Sequence, residues 1–218
     1  LKVYLLRHGE VESHRGDVPI TEAAEHEARR AGRALAELEG GTIRLLTGET
    51  RRARDTAARF AEGLESGGVG IIGPDVAFAL RNPDLYVSGV RVNMVSSPEA
   101  LAAQVGGIDP EDVMRLGFYT EFFASPDRIG WWLTHPDPPG ETADAVATRV
   151  RAFLISLLDP VPLRVDVVVA ITHSPLLRSL ALDLLGRDIG EPPWVTGLVL
   201  RFEDDHGISA EMYQGDTG

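Results

Sequence analysis

Short apolar runs alternate with longer amphipathic stretches along this chain, and that alternation predicts its elements. Residues 2–6 form a β-favouring apolar run, read as a buried strand that ends at Arg7. Thr21 can cap a helix from about 22 to 39, with Ala24, Ala28, Ala31, Leu35 and Leu38 on one stripe and Gly40-Gly41 as its stop. Residues 42–47 read as a second strand. A helix from about 50 to 64 follows, with Ala53, Ala57, Phe60 and Leu64 spaced for a buried face. A third short strand is expected at 69–72 or 75–79.

Between about 80 and 140 the pattern loosens. Prolines and aromatics, among them Phe118, Tyr119, Phe122, Trp131 and Trp132, predict helices and loops inserted over the sheet edge as a lid or pocket wall. Packing of that insertion onto the core is the simplest role for most of the aromatics. Regularity returns with a helix from about 142 to 158, carrying Val146, Val150, Phe153, Leu154 and Leu157. The near-continuous β-branched run Val165–Ile171 then predicts a central parallel strand buried on both faces. It delivers Thr172-His173-Ser174-Pro175, with Ser174 expected as N-cap and Pro175 as the first helical residue, and this helix stops at Gly186. Residues 196–202 and 208–213 read as a terminal hairpin around Asp204-Asp205-His206-Gly207. The element order predicts an α/β fold, a three-layer α/β/α sandwich with a mostly parallel central sheet, in a single domain spanning 1–218.

Composition then narrows the chemistry. There are no cysteines, which removes disulfides, thiolate zinc sites and cysteine nucleophiles together. Lys2 is the sole lysine, which argues against Schiff-base and Walker-type phosphate chemistry. A formal net charge of -12 argues against nucleic acid or an anionic membrane as partner. The opening apolar run is too short for a signal peptide or a membrane span, and a cytoplasmic setting is expected.

His8 and His173 each follow a hydrophobic strand directly, at the sheet edge where α/β proteins bind ligands. Arg7 adjoins the first, and Arg52 lies in the first turn of the helix after the second strand. Helix-starting amides after Thr172 favour anions too. Guanidinium forks match phosphate oxygens, and a neutral imidazole can attack phosphorus in line to become phosphohistidine. A carboxylic acid would then protonate a departing alkoxide. Each residue also has a plain alternative: a lone strand-terminal histidine is more often structural, and Arg52 belongs to a run of charge that could be a solvated face.

Arg7-His8-Gly9-Glu10 resembles the signature of the histidine phosphatase superfamily, also called phosphoglycerate mutase-like. Arg51–Ala57, Pro139-Gly140-Glu141-Thr142, Val169–His173 and Pro19-Ile20-Thr21 resemble its other segments, in the same order. The resemblance implies a metal-independent phosphatase that hydrolyses a small phosphorylated metabolite through phospho-His8, with Arg7, Arg52 and His173 holding the phosphoryl group and no organic cofactor. A phosphomutase, or a catalytically weak phosphate-ester-binding protein, are the alternatives. His14 stands where the family often has Asn, and Ser174-Pro175 replaces a usual glycine pair. Asn82 falls where many members carry the acidic Glu. Asp84 is therefore the expected general acid, with Glu141 as a fallback, and His14, Glu141, Thr172 and Ser174 are expected to contact substrate. Arg81, Arg91, Arg115 and Arg128 are candidates to read a second anionic group.

Overall fold

The computed structural model describes residues 1–160, 162, 165–203 and 207–215. Strands β1 (Lys2–Arg7), β2 (Thr42–Thr47), β3 (Gly70–Val76), β6 (Val167–Thr172), β7 (Gly197–Phe202) and β8 (Ile208–Tyr213) form one sheet, ordered β3-β2-β6-β1-β7-β8. The pairs β3·β2, β2·β6 and β6·β1 are parallel, whereas β7 runs against both β1 and β8. The hairpin is as expected, although Asp204, Asp205 and His206 of its turn lie outside the described residues.

Period-two alternation divides the core into two layers. Val3 and Leu5 of β1, with Val168 and Ala170 of β6, face one cluster; Tyr4 and Leu6, with Val167, Val169 and Ile171, face the other. Helices α1 (Glu22–Glu39) and α2 (Arg51–Ser66) cover the second face. Helices α7 (Ala143–Ser156) and α8 (Ser174–Leu185) cover the first. The strip Ala53, Ala57, Phe60 and Leu64 is completely buried, as its spacing predicts. Burying a side chain the size of Phe60 or Leu64 contributes roughly 1.5–3 kcal/mol.

One helix face departs from expectation. Leu38 is 69% exposed, and Gly32 takes the buried place on the stripe. The reason is close packing: a Cβ on Gly32 would stand 2.2 Å from the Phe60 carbonyl oxygen, and one on Gly63 would stand 2.1 Å from that of Arg29. The two helices cross backbone against backbone, and this crossing turns the α1 stripe so that its last leucine faces water.

The segment from 78 to 135 contains a single 3₁₀ turn (Phe78–Leu80), the hairpin β4 (Leu85–Val87) and β5 (Val90–Val92), and four short helices. These are α3 (Pro98–Val105), α4 (Pro110–Val113), α5 (Gly117–Ala124) and α6 (Arg128–Thr134). Tyr119, Phe122 and Trp132 are buried in the first core cluster, and the Trp132 indole N–H donates to the Glu141 carbonyl at 3.1 Å. Among the described residues, no helix is long and apolar enough to cross a membrane.

Candidate active site

Strand register brings the two histidines together. Arg7 pairs with Thr172 at the last rung of the parallel β1·β6 ladder, so His8 and His173 are the next residues on neighbouring strands. The His8 amide continues the ladder by donating to the Thr172 carbonyl at 2.9 Å. The ring centroids lie 5.3 Å apart. Strand β2 ends one position away, where Gly48 N–H donates to the Ile171 carbonyl, and the chain enters α2 within four residues. That path carries Arg52 onto the same edge. Gly48 has no room for a side chain, since its Cβ would meet the Leu80 carbonyl oxygen at 2.9 Å and His173 Nε2 at 3.3 Å.

The hydrogen bonds of His8 assign its tautomer. Nδ1 lies 2.7 Å from the Gly9 carbonyl oxygen, which only accepts, so Nδ1 carries the proton. Nε2 then holds the lone pair, and it accepts from Arg52 Nε at 3.2 Å. Gly9 is itself fixed by donating its amide to Thr56 Oγ1 at 2.9 Å. Burial first, and the Arg52 charge second, push the His8 pKa well below its ordinary value, so the ring is neutral. His173 is buried and neutral for the same two reasons, with Nε2 3.4 Å from Thr50 Oγ1.

Arg7 is buried and largely engaged. It donates to the Pro192 carbonyl at 2.6 Å, pairs with Glu191 at 2.6 Å, and lies 3.4 Å from the centre of the Trp194 ring. Its buried Nε has no acceptor. Burial lowers its pKa to about 10 against the opposing pull of Glu191, which leaves the group charged at neutral pH. His14 stacks on Trp194 and sits 6.1 Å, centroid to centroid, from His8. Burial, then Arg52 and Arg7, lower its pKa to about 4.

These groups line one cavity of about 390 Å³. Arg7, His8, His14, Arg52, His173 and Ser174 form its sheet-edge side. The 78–135 segment supplies the opposite side, including Asn82, Val95, Phe122, Asp127 and Arg128. Below Arg52 and His14 a second lobe opens, lined also by Asp17, Glu49 and Asn93.

Three expected site residues stand elsewhere. Asp84 is off the cavity wall, its carboxylate gripped by Arg81 at 3.1 Å and by Arg91. Burial alone would raise its pKa, but the hydrogen bonds from Arg81 and Arg91 outweigh that and hold it below the usual carboxylate range. This geometry keeps the group ionised and does not support a role as acid. Glu141 is also off the wall: it accepts from the Asp84 amide at 2.8 Å and from Arg149 at 2.9 and 3.0 Å, clamping the insertion to α7. Thr172 points away as well, donating to the Leu80 carbonyl at 2.9 Å. Ser174 does reach the cavity, but the helix N-cap is His173, and the Ser174 hydroxyl donates to Glu191 instead.

Sequence reasoning passed over Trp194, Glu191 and Arg178. Arg178 is 1% exposed yet binds two carboxylates, Asp127 at 2.6 and 2.8 Å and Asp188 at 2.6 and 2.9 Å. The signal for it was present: a charged residue one helical turn past Ser174 within the apolar run of α8. Trp131 and Trp132 do not line the cavity; Trp131 packs against Phe118, Phe122 and His135. Among the described residues, no cluster of three or more His, Asp or Glu is placed to hold a metal ion.

Residues 3–71 match the family model described as histidine phosphatase superfamily (branch 1). No curated protein matches the chain. Solved structures share its fold over nearly its whole length. A mycobacterial glucosyl-3-phosphoglycerate phosphatase complexed with VO3 is 21% identical, covers 97% of this chain and 96% of its own, and gives a TM-score of 0.61. YhfR of Bacillus stearothermophilus is 20% identical over 99% and 98%, with a TM-score of 0.61. Phosphoglycerate mutase from Bacillus anthracis is 14% identical over 99% and 93%, with a TM-score of 0.59.

Proposed function

We propose that this chain is a member of the histidine phosphatase superfamily, whose model it matches over residues 3–71, and that it hydrolyses a small phosphorylated metabolite through a phosphohistidine at His8. One observation carries this reading. His8 has its Nδ1 proton tied to the Gly9 carbonyl, which leaves the Nε2 lone pair beside Arg52 in the cavity. A neutral imidazole so oriented is a nucleophile that needs no prior deprotonation.

The roles follow from position. His8 Nε2 attacks phosphorus. Arg52 and Arg7 neutralise the phosphoryl oxygens, using fixed donors that need little reorganisation as charge develops. His173, adjacent on the next strand, contacts the same group from the other side. Water then hydrolyses the P–N bond. The two arginines supply the positive charge, so no metal is invoked. A cytoplasmic metabolite pool is the proposed setting.

Brief incubation with labelled acetyl phosphate, quenched in alkali and mapped by mass spectrometry, tests the reading. A base-stable, acid-labile phosphoryl group on His8 is expected, with inorganic phosphate as the final product. Undiminished turnover by His8→Ala, or a label that maps to another residue, would contradict it. An isomerised ester in place of free phosphate would make the enzyme a mutase.

A further inference from the structure

The cavity contains a nucleophile and charges for the phosphoryl group, yet no group placed to protonate what leaves. Asn82 is buried on the wall close to the catalytic edge, and an amide does not serve as a general acid. Each carboxylate bordering the two lobes already has a donor. Asp127 is held bidentately by Arg178, and Glu191 by Arg7 and the Ser174 hydroxyl. Glu49 pairs with Arg91 at 3.1 Å, and Asp17 accepts the Arg51 amide at 2.6 Å. Asp84, outside the wall, is held by Arg81 and Arg91. The bonds from Arg178 hold Asp127, and those from Arg81 and Arg91 hold Asp84, below the usual carboxylate range, so neither has a proton to give. The remaining titratable side chains on the wall are His14 and the paired His8 and His173. Both histidines other than the nucleophile are held neutral by burial and by Arg52.

A second observation points the same way. Arg128 lies on the insertion side of the cavity, on a wall that also carries Ser96, Phe122, Asp127 and Ile129. Its Nε is buried without a hydrogen-bond partner, and it has no ion pair among the described residues. The other arginines considered as anion readers are committed elsewhere: Arg81 to Asp84, Arg91 to Asp84 and Glu49, and Arg115 to Glu111 and Asp112. A guanidinium on a cavity wall with no ion pair among the described residues favours a negative group arriving beside it.

We infer that the substrate is a phosphate compound whose leaving group departs as a stable anion without a proton from the enzyme: an acyl phosphate, a phosphoanhydride, or the ester of an acidic enol or phenol. Arg128 receives the negative charge on that side. The step balances without an acid. His8 Nε2 forms the P–N bond while the P–O bond to the leaving group breaks, and its electron pair stays on the departing oxygen. Water then forms a new P–O bond, the P–N pair returns to Nε2, and both water protons leave on dihydrogen phosphate. Esters of ordinary alcohols are poor substrates because their alkoxides must be protonated as they leave.

This inference rests on the phosphohistidine reading, and the experiment separates the two. Steady-state kcat/KM and His8 labelling are measured with acetyl phosphate, p-nitrophenyl phosphate, phenyl phosphate and glycerol phosphate. A steep decline with rising leaving-group pKa is expected, with glycerol phosphate at least ~10²-fold below p-nitrophenyl phosphate, the lower end of what a general acid supplies. Asn82→Asp and Asn82→Glu are expected to raise glycerol phosphate turnover selectively and flatten the slope. Arg128→Ala should lower kcat/KM for phenyl phosphate more than for acetyl phosphate and so steepen the slope, because the more basic departing oxygen depends more on a cation beside it. His8 labelling with a flat slope in the wild-type protein overturns the inference alone, and does so whether or not the Asn82 variants fold. A flat slope that becomes steep in His14→Ala or Glu191→Gln also overturns it and assigns the acid to that residue. No label from any donor overturns the phosphatase reading, and the inference with it.

Discussion

The two sides of the cavity are built by different means. On the sheet-edge side, His8 and His173 are one residue beyond a ladder whose register is fixed by continuous pairing from Lys2 to Arg7. On the other side, Asp127 and Arg128 sit at the start of a seven-residue helix, joined to α8 through the Arg178 carboxylate bonds. The first side fixes reacting atoms relative to one another, because a slipped register would reverse which face every β1 side chain occupies. The second is made of short helices whose cavity-facing side chains lie outside the strand ladder, so they can differ without disturbing the first. On the proposed reading, chemistry belongs to the sheet-edge side and substrate choice to the other.

Substitutions on each side can break this division. The largest expected effect is from His8→Ala, a loss of on the order of 10⁴-fold in kcat, as for other covalent nucleophiles. Thermal melting should show a fold retained. A variant within tenfold of wild type would show that the sheet edge does not hold the nucleophile. Trp132→Ala comes next, and should cost about 3–5 kcal/mol in urea unfolding, since the side chain is fully buried. At temperatures where the variant stays folded, His8 labelling should persist while selectivity among donors declines. Equal loss of both would show that the two sides are not separable.

Arg52→Ala should reduce kcat by about 10²–10³-fold, the range seen when one preorganised donor to a developing charge is removed. A change confined to KM would instead give Arg52 only a ground-state role. Asp127→Ala is expected to cost more than the ~1 kcal/mol of the lost N-cap contact to the Gly130 amide, because it also removes both Asp127 bonds from Arg178 and leaves that guanidinium to Asp188. It should raise KM several-fold with little change in kcat.

The smallest effect at neutral pH concerns the buried imidazoles. The pKa values of His8, His14 and His173 are all depressed, so below about pH 6.5 the unfolded chain takes up protons that the fold refuses. Their contribution to stability is present above that pH and declines as pH falls below it. Urea midpoints measured downward from pH 7 should show the decline, and His14→Phe should reduce it. For the same reason kcat/KM should have no acid limb at the ordinary histidine value. A limb at pH 6.5 that disappears in a His14 variant would place a protonation step there.

Much of this was legible along the chain because it depends on local pattern. Apolar runs marked the strands of the main sheet except β3, which runs Gly70–Val76 across the two alternative spans expected for it, and the residues just past β1 and β6 were marked as a pair by their position. Leu38 was misjudged because periodicity alone cannot see that Gly32 and Gly63 allow two helix backbones to touch. Asp84 was misjudged because its spacing from Asn82 said nothing about Arg91, which reaches it across the β4·β5 hairpin.

By itself, the sequence determined the layers, the strand that lies at the centre, and the histidine and arginine residues at its edge, since hydrophobic period and strand ends are short-range properties. Tertiary structure decided which charges remain unpaired. Ion pairs join residues distant in sequence, such as Arg7 with Glu191 and Arg178 with Asp127, and a carboxylate's protonation depends on the partner that folding brings to it.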